Sequence, residues 1–255
     1  MNNLLEIKNL TKSFGGLIAV NNVSFVVREG IIKSIIGPNG AGKTTLFNLI
    51  SGFYKSDDGE IIFKNQKINK LKPFQIAKKK IIRTFQNIKL FSNMTVLENI
   101  MTGLHLSGKS GFIASMFKFP NSLIEEKKIK KKSFEILEKF NLTKVANENV
   151  SNLPFGQQRI IELARAYSSE PELLLLDEPA AGLNIYETME LAEIIKQINN
   201  NKTTILLVEH DMALVMKISN EIVVLNSGQK IAEDIPEKIQ KNPEVIKIYL
   251  GEENA

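Results

Sequence analysis

The sequence predicts an α/β protein: a phosphate-loop core with a mostly parallel sheet, an antiparallel β subdomain and an inserted α-helical subdomain. Three observations predict it. Gly37-Pro38-Asn39-Gly40-Ala41-Gly42-Lys43-Thr44 fits G-x-x-x-x-G-K-[ST] at every fixed position, between an apolar run at 31–36 and a helical stretch at 45–50. Four leucines at 173–176 run into Asp177-Glu178-Pro179, the pattern of a parallel strand buried on both faces. Residues 95–150 are mostly helical in pattern and fall between strands of the core. The expected organisation is one domain over 1–255, with the helical subdomain at 95–165 inside it.

Taken in order, residues 4–10 read as a strand, 11–16 as a turn and 23–27 as a second strand. Short strands joined by tight turns give the antiparallel sheet. Phe14 lies in the first turn, and beside Gly15-Gly16 it reads by itself as core or turn packing rather than as a base-stacking aromatic. In the phosphate loop the glycines let successive N–H groups point inward at phosphate oxygens, and the following helix adds its positive end. Lys43 can reach the β- and γ-phosphates, and the Thr44 hydroxyl can ligate Mg²⁺. The loop indicates a nucleoside triphosphate but not the use of its energy.

Asp57-Asp58-Gly59 is a turn before a strand at 60–63. Pro73 starts a short basic helix, and 81–85 reads as a strand that delivers Gln86 at its C-terminal end, where open α/β sheets bind ligands. Alone, Gln86 reads as a surface amide. Thr95 with Glu98 forms a capping box ahead of Leu97, Ile100, Met101 and Leu104. Residues 107–120 read as an irregular excursion whose Ile113, Met116, Phe117 and Phe119 either pack on the helical subdomain or dock on a partner. A long helix follows at 123–140, and Pro154 begins an amphipathic helix carrying Ile160, Leu163, Ala164 and Tyr167.

Asp177 is placed to hold Mg²⁺ through water, and Glu178 to polarise an attacking water. Residues 187–198 read as a helix and 203–208 as a buried strand ending at Glu209-His210-Asp211. A neutral His210 there can hydrogen-bond a γ-phosphate. Strands at 222–225 and 229–232 close the sheet, and Pro236 and Pro243 introduce short helices.

Composition narrows the class. Over 255 residues, 43% hydrophobic and 24% charged is the balance of a soluble globular protein. No apolar run approaches bilayer length, and Met1-Asn2-Asn3 gives no expectation of a secretory signal. The absence of cysteine excludes disulfides and thiolate metal sites. A net charge of +5 admits an acidic partner. The dense run Lys127-Lys128-Ile129-Lys130-Lys131-Lys132 reads as the solvated face of a helix, with Ile129, Ile136, Leu137 and Phe140 on its apolar stripe, rather than as a binding patch.

The order of phosphate loop, Gln86, Pro154-Phe155-Gly156-Gln157, Asp177-Glu178 and His210 resembles the ATP-binding cassette proteins over almost the whole chain. The resemblance implies that Phe14 stacks on adenine, and that Thr45 joins the loop residues in binding ATP. It makes Thr44, Asp177 and Gln86 the groups that hold Mg²⁺. Glu178, Gln86 and His210 become the catalytic set, with Gln86 also sensing a transmembrane partner. Leu153-Pro154-Phe155-Gly156-Gln157 becomes the signature sequence and 181–184 the loop after the catalytic carboxylate. The usual Leu-Ser-Gly-Gly-Gln is altered: Pro154 lacks the serine hydroxyl and Phe155 replaces a glycine.

Phe85-Gln86-Asn87, the helix at 95–104 with the excursion after it, Pro179-Ala180-Ala181-Gly182-Leu183-Asn184, Val208-Glu209-His210-Asp211-Met212 and the end Tyr249-Leu250-Gly251-Glu252 resemble the branched-chain amino acid import cassettes, in particular the paired cassette with the longer insertion. That implies an ATP hydrolase at the cytoplasmic face of the membrane, paired head to tail with a second cassette. The two cassettes sit under two permease subunits fed by an extracytoplasmic substrate-binding protein. Pro154 favours a heterodimer with unequal sites over a homodimer. Lipopolysaccharide export or urea and amide import are the alternatives within transport. A soluble cassette ATPase acting on nucleic acid is the alternative outside it, although no nucleic-acid partner is expected.

Overall fold

In a computed structural model, residues 2–105 and 120–251 are described. The chain divides into two compact units, Met1–Gln86 with Glu172–Ala255, and Asn87–Pro171. The segment expected at 95–165 falls inside the second. The fold class is the one the sequence predicts.

The first unit holds two sheets. One is antiparallel, in the order β2-β1-β4-β5, from β1 (Asn3–Phe14), β2 (Leu17–Arg28), β4 (Asp58–Phe63) and β5 (Gln66–Lys67). The first two strands are longer than the sequence suggests. The expected turn at 11–16 shrinks to Gly15-Gly16, because Lys12, Ser13 and Phe14 stay paired with Val20, Ile18 and Leu17. Asn9 and Asn22 adopt φ of 48° and 53°, a conformation asparagine tolerates, and irregular register accompanies them.

The second sheet has the order β10-β9-β3-β8-β7-β6. Its strands are β3 (Ile32–Ile36), β6 (Ile81–Arg83), β7 (Leu173–Asp177), β8 (Thr204–Val208), β9 (Glu221–Asn226) and β10 (Gln229–Asp234). All are parallel except the edge strand β10. Every residue of β3, β7 and β8 is buried, which is why these stretches are mostly Ile, Leu and Val without alternation, with Lys33 and Ser34 of β3 as the interior exceptions. Helix α1 (Lys43–Ile50) puts Leu46, Phe47, Leu49 and Ile50 into a core shared with both sheets. Helix α2 (Pro73–Lys78) leads into β6.

The second unit contains α3 (Val96–His105), α4 (Pro120–Lys139) and α5 (Phe155–Ser168). Its Thr95–Glu98 capping box forms: Glu98 N–H donates to Thr95 Oγ1 at 3.2 Å, and Thr95 N–H to Glu98 Oε2 at 2.8 Å. Helix α4 starts at Pro120 rather than 123. Lys127, Lys128, Lys130, Lys131 and Lys132 are exposed while Leu137 and Phe140 are buried, the solvated face expected of the lysine run. The 107–120 excursion, apart from the Pro120 backbone, lies outside the described residues, as does Glu252.

Returning to the first unit, α6 (Ile185–Asn200) follows β7, capped by Asn184 with Glu187. Helix α7 (Met212–Ile218), absent from the sequence reading, is capped by Asp211, whose Oδ1 accepts from Leu214 N–H at 3.0 Å. Seven residues are too few to reveal a helical period beside a strand end. Helices α8 (Pro236–Ile239) and α9 (Pro243–Gly251) close the chain.

One basic side chain lies within the buried strands β3, β7 and β8. Lys33 in β3 is 1% exposed, and its Nζ donates to Val26 O at 2.6 Å and pairs with Glu221 at 2.8 Å and with Glu233. Removing one member of a buried ionic cluster strands the others. Lys33→Met is therefore expected to destabilise the fold by about 3 kcal/mol, read as a lower urea midpoint at unchanged slope.

Candidate active site

Because β3, β6, β7 and β8 run parallel, their C-terminal ends share one edge of the sheet. The phosphate loop leaves β3 there. Gly37 and Gly42 take φ of 150° and 98°, and a Cβ on either would come within 2.1 Å of Leu225 O or 2.3 Å of Ala19 O. No side chain can be accommodated at either position without moving backbone. Pro38 is half-buried, Asn39 and Gly40 are exposed, and Ala41 is buried. Lys43 is 5% exposed, its ammonium donating to Gly37 O at 2.6 Å and Pro38 O at 2.9 Å. No side chain caps α1 and no acidic residue occupies its first turn, so its positive end is left to an anion. Thr44 is exposed there and Thr45 is half-buried.

Asp177 ends β7, opposite Val208 of β8, and Glu178 follows with φ of 47°, a strained angle for a side chain of this kind. The Glu178 carboxylate is held at both oxygens. Gln86 Nε2 donates to Oε2 at 2.7 Å, and His210 Nε2 lies 2.9 Å from Oε1. Gln86, Glu178 and His210 come from loops after three different strands, so the catalytic set read from the sequence is brought together in space. One detail differs. Strand β6 stops at Arg83, not at 85, because pairing with β7 ends there and Phe85 turns its ring edge-on to Phe53 at 6.0 Å. Gln86 is thus carried on a loop three residues beyond the strand.

Phe14 is 42% exposed at the end of β1, edge-on to Tyr54 at 5.2 Å, with Lys12 Nζ 5.3 Å from its ring centroid. The core packing offered as one reading of the sequence is not what forms: Phe14 stays paired with Leu17 at the open end of β1, where its neighbours are Tyr54 and Lys12. In the second unit, Pro154 is the N-cap residue of α5, with no side-chain cap. Leu153 is half-buried, Gly156 is buried and Gln157 is exposed. Phe155 is 47% exposed, its ring 5.7 Å from the Arg159 guanidinium carbon. Arg159 and Glu162 form a buried pair at 2.8 Å, and Glu162 also accepts from Lys89 N–H at 3.0 Å.

Sequence reasoning gave Glu209 no role. It is 3% exposed, with Oε1 accepting from Ala180 N–H at 2.7 Å and Oε2 from His210 N–H at 2.9 Å. A single carboxylate therefore joins the loop after Glu178 to the backbone of His210. Its position at the end of an apolar strand was the available signal. Burial pushes its carboxyl above the ordinary value of 4.5, against the pull of its backbone N–H bonds, and the nearby Glu178 adds to the rise. The folded chain thus holds this proton to higher pH than the unfolded chain. The stability Glu209 contributes is complete below 4.5 and is lost as pH rises through its folded value. Two outcomes are expected from denaturation at several pH values. Glu209→Ala should cost about 1–3 kcal/mol, since the buried N–H of Ala180 and the part-buried N–H groups of His210 and Asp211 lose their acceptor. Glu209→Gln should gain on the wild type as pH rises above 4.5.

Comparison with known proteins agrees with this arrangement. The ABC transporter profile matches residues 20–181, and that of the branched-chain amino acid ATP-binding cassette transporters matches 229–255. The high-affinity branched-chain amino acid transport ATP-binding protein LivG of Salmonella typhimurium is 47% identical over 98% of both chains. A nucleotide-free ATP-binding cassette from an ABC transporter superposes with a TM-score of 0.84 at 32% identity, over 97% of this chain and 99% of that one. A dimeric bacterial ABC transporter cassette gives 0.77 at 27% identity, over 91% and 99%. By sequence and by fold, this chain belongs to the ATP-binding cassette family of transport ATPases, in the branch of the branched-chain amino acid cassettes.

Proposed function

We propose that this chain is the ATP-hydrolysing subunit of a membrane importer for branched-chain amino acids. The observation that carries the reading is Glu178, suspended between Gln86 and His210 at the strand edge that also carries the phosphate loop. The names of the relatives supply the substrate class.

The residues fit Mg²⁺ as the metal. Thr44 presents a hydroxyl at the start of α1, and Asp177 a carboxylate at the end of β7, with Gln86 on a third loop. Among the described residues no group of three or more His, Cys, Asp or Glu could enclose a metal. That suits a cation completed by phosphate oxygens and water rather than by a protein cage. When bound, Mg²⁺ neutralises charge on the β- and γ-phosphates.

The remaining work falls to side chains and backbone. Residues 37–45 bind the phosphates, with Lys43 leaving the loop carbonyls for phosphate oxygens. Phe14 offers a ring for adenine. Glu178 orients the attacking water and accepts its proton, and His210 and Gln86 set the direction of the carboxylate. The signature, Leu153 to Gln157, serves the nucleotide of a second cassette in a head-to-tail dimer; that cassettes of this fold pair at all is supported by the dimeric relative. With no hydroxyl at Pro154, that contact falls to the N–H groups of the first turn of α5, and the pairing favoured is a heterodimer with unequal sites. Two permease subunits and a substrate-binding protein complete the transporter. The subunit is placed, as a peripheral protein, on the cytoplasmic face of the membrane; among the described residues no helix is long and apolar enough to cross one.

Two substitutions and one isolation test the reading. Glu178→Gln should keep nucleotide affinity and lower steady-state ATP turnover by roughly 10²–10⁴. Near-normal turnover would sink the assignment. Lys43→Ala should weaken nucleotide binding itself, and unchanged affinity counts against the loop. Tagged chain drawn gently from detergent-solubilised membranes should bring two permeases and a second cassette, whereas recovery with nucleic acid would overturn the transport reading.

A further inference from the structure

Arg83 belongs to no motif, yet it ties together three parts of the nucleotide edge. It is the last residue of β6, and its side chain is 7% exposed. Its Nη2 donates to Asp177 Oδ2 at 2.7 Å. Its Nη1 donates to Asn48 Oδ1 at 2.7 Å and to Ser51 Oγ at 2.8 Å, on α1 and at its C-cap, in the helix that begins at the phosphate loop. The guanidinium carbon lies 5.6 Å from the Phe47 ring, 5.8 Å from Phe53 and 5.2 Å from Phe85, the residue before Gln86. A planar, weakly hydrated fork suits such a place: it bonds in two directions at once and tolerates aromatic walls. The other oxygen of Asp177, Oδ1, takes no hydrogen bond from the described residues.

We propose that Arg83 is a positioning residue for the metal end of the site. It fixes Asp177 through Oδ2, anchors that carboxylate to α1, and leaves Oδ1 for the hydration shell of Mg²⁺. The affinity of the ATP site for Mg²⁺ is then set by a residue that touches neither metal nor nucleotide. Arginine is needed for this, not merely a positive charge, because an ammonium cannot reach Asn48, Ser51 and Asp177 from one plane. The proposal rests on the reading of Asp177 as the carboxylate of the metal.

The test is a binding titration on the purified full chain. A fluorescent ATP analogue is bound in EDTA and then across a range of Mg²⁺ concentrations, for wild type, Arg83→Lys, Asn48→Ala and Asp177→Asn, with a melting temperature for each. The Mg²⁺ concentration for half-maximal tightening should rise about 10-fold in Arg83→Lys and in the same direction in Asn48→Ala, with affinity in EDTA held within about two-fold, as for other supporting partners of metal ligands. Should Arg83→Lys fail to fold, Asn48→Ala, which keeps the ion pair and the Ser51 bond and removes one of the two anchors, decides. Wild-type Mg²⁺ titrations in the folded variants, or affinity lost equally with and without Mg²⁺, would show a purely structural residue and overturn the proposal. If Asp177→Asn leaves the Mg²⁺ titration unchanged, the underlying reading of Asp177 has failed and the proposal falls with it.

Discussion

Parallel pairing of strands buried on both faces is the constraint from which the site follows. A strand such as β7 or β8 has no room for a polar side chain along its length, so its first place for a carboxylate is its C-terminal end. Parallel neighbours bring those ends to one edge. The pairs Asp177 with Val208 and Ile35 with Val208 bring the edges of three strands level. Phosphate loop, acidic pair and histidine are then neighbours without any contact having to be specified by itself. The same edge faces the positive end of α1, which favours anionic ligands over others.

Much of this was legible because apolar strands and the phosphate loop are dense local signals. The four leucines at 173–176 read directly as a strand buried on both faces, with Asp177-Glu178 at its end. What escaped were residues whose meaning depends on a distant partner. Glu209 is one acidic residue among many until its two oxygens are seen to accept from Ala180 and His210. Arg83 reads as an ordinary strand-end cation until Asp177, 94 residues later, is placed beside it. The extension of β1 through residues 11–14 escaped for a different reason. Its side chains are half-buried or exposed, so the alternation that marks a strand is lost although the backbone ladder continues.

Two buried cations show how similar chemistry serves different ends. Lys33 and Arg83 are each nearly sealed from water and each pairs with carboxylates. Lys33 lies within a strand, and its partners Glu221 and Glu233 sit on β9 and β10. Its bonds tie three strands of their sheet together and reach Val26 of β2 in the other sheet. Arg83 lies at a strand end, where its partner is Asp177, the carboxylate that ends β7. A compact ammonium suffices for the first task, while the second needs a fork. Buried ion pairs contribute little net stability because desolvation offsets attraction, so retaining one at the site points to geometry as its contribution.

The same logic bears on Glu178. A left-handed backbone at a glutamate costs of order 1 kcal/mol or more, and it persists only where neighbours over-determine it. Here they do: the Glu178 N–H donates to Val208 O at 2.9 Å, and both carboxylate oxygens are engaged. The two side chains that engage it stand on loops, not on strands, and Gln86 is the last residue before the chain enters the helical unit. Movement of either loop therefore withdraws a hydrogen bond from the proposed base before it disturbs the sheet beneath. A carboxylate fixed by rigid strands alone would be permanently set. One fixed by two loops can be set or released by whatever binds them, which is the property a transport ATPase needs if hydrolysis is to wait for its partners.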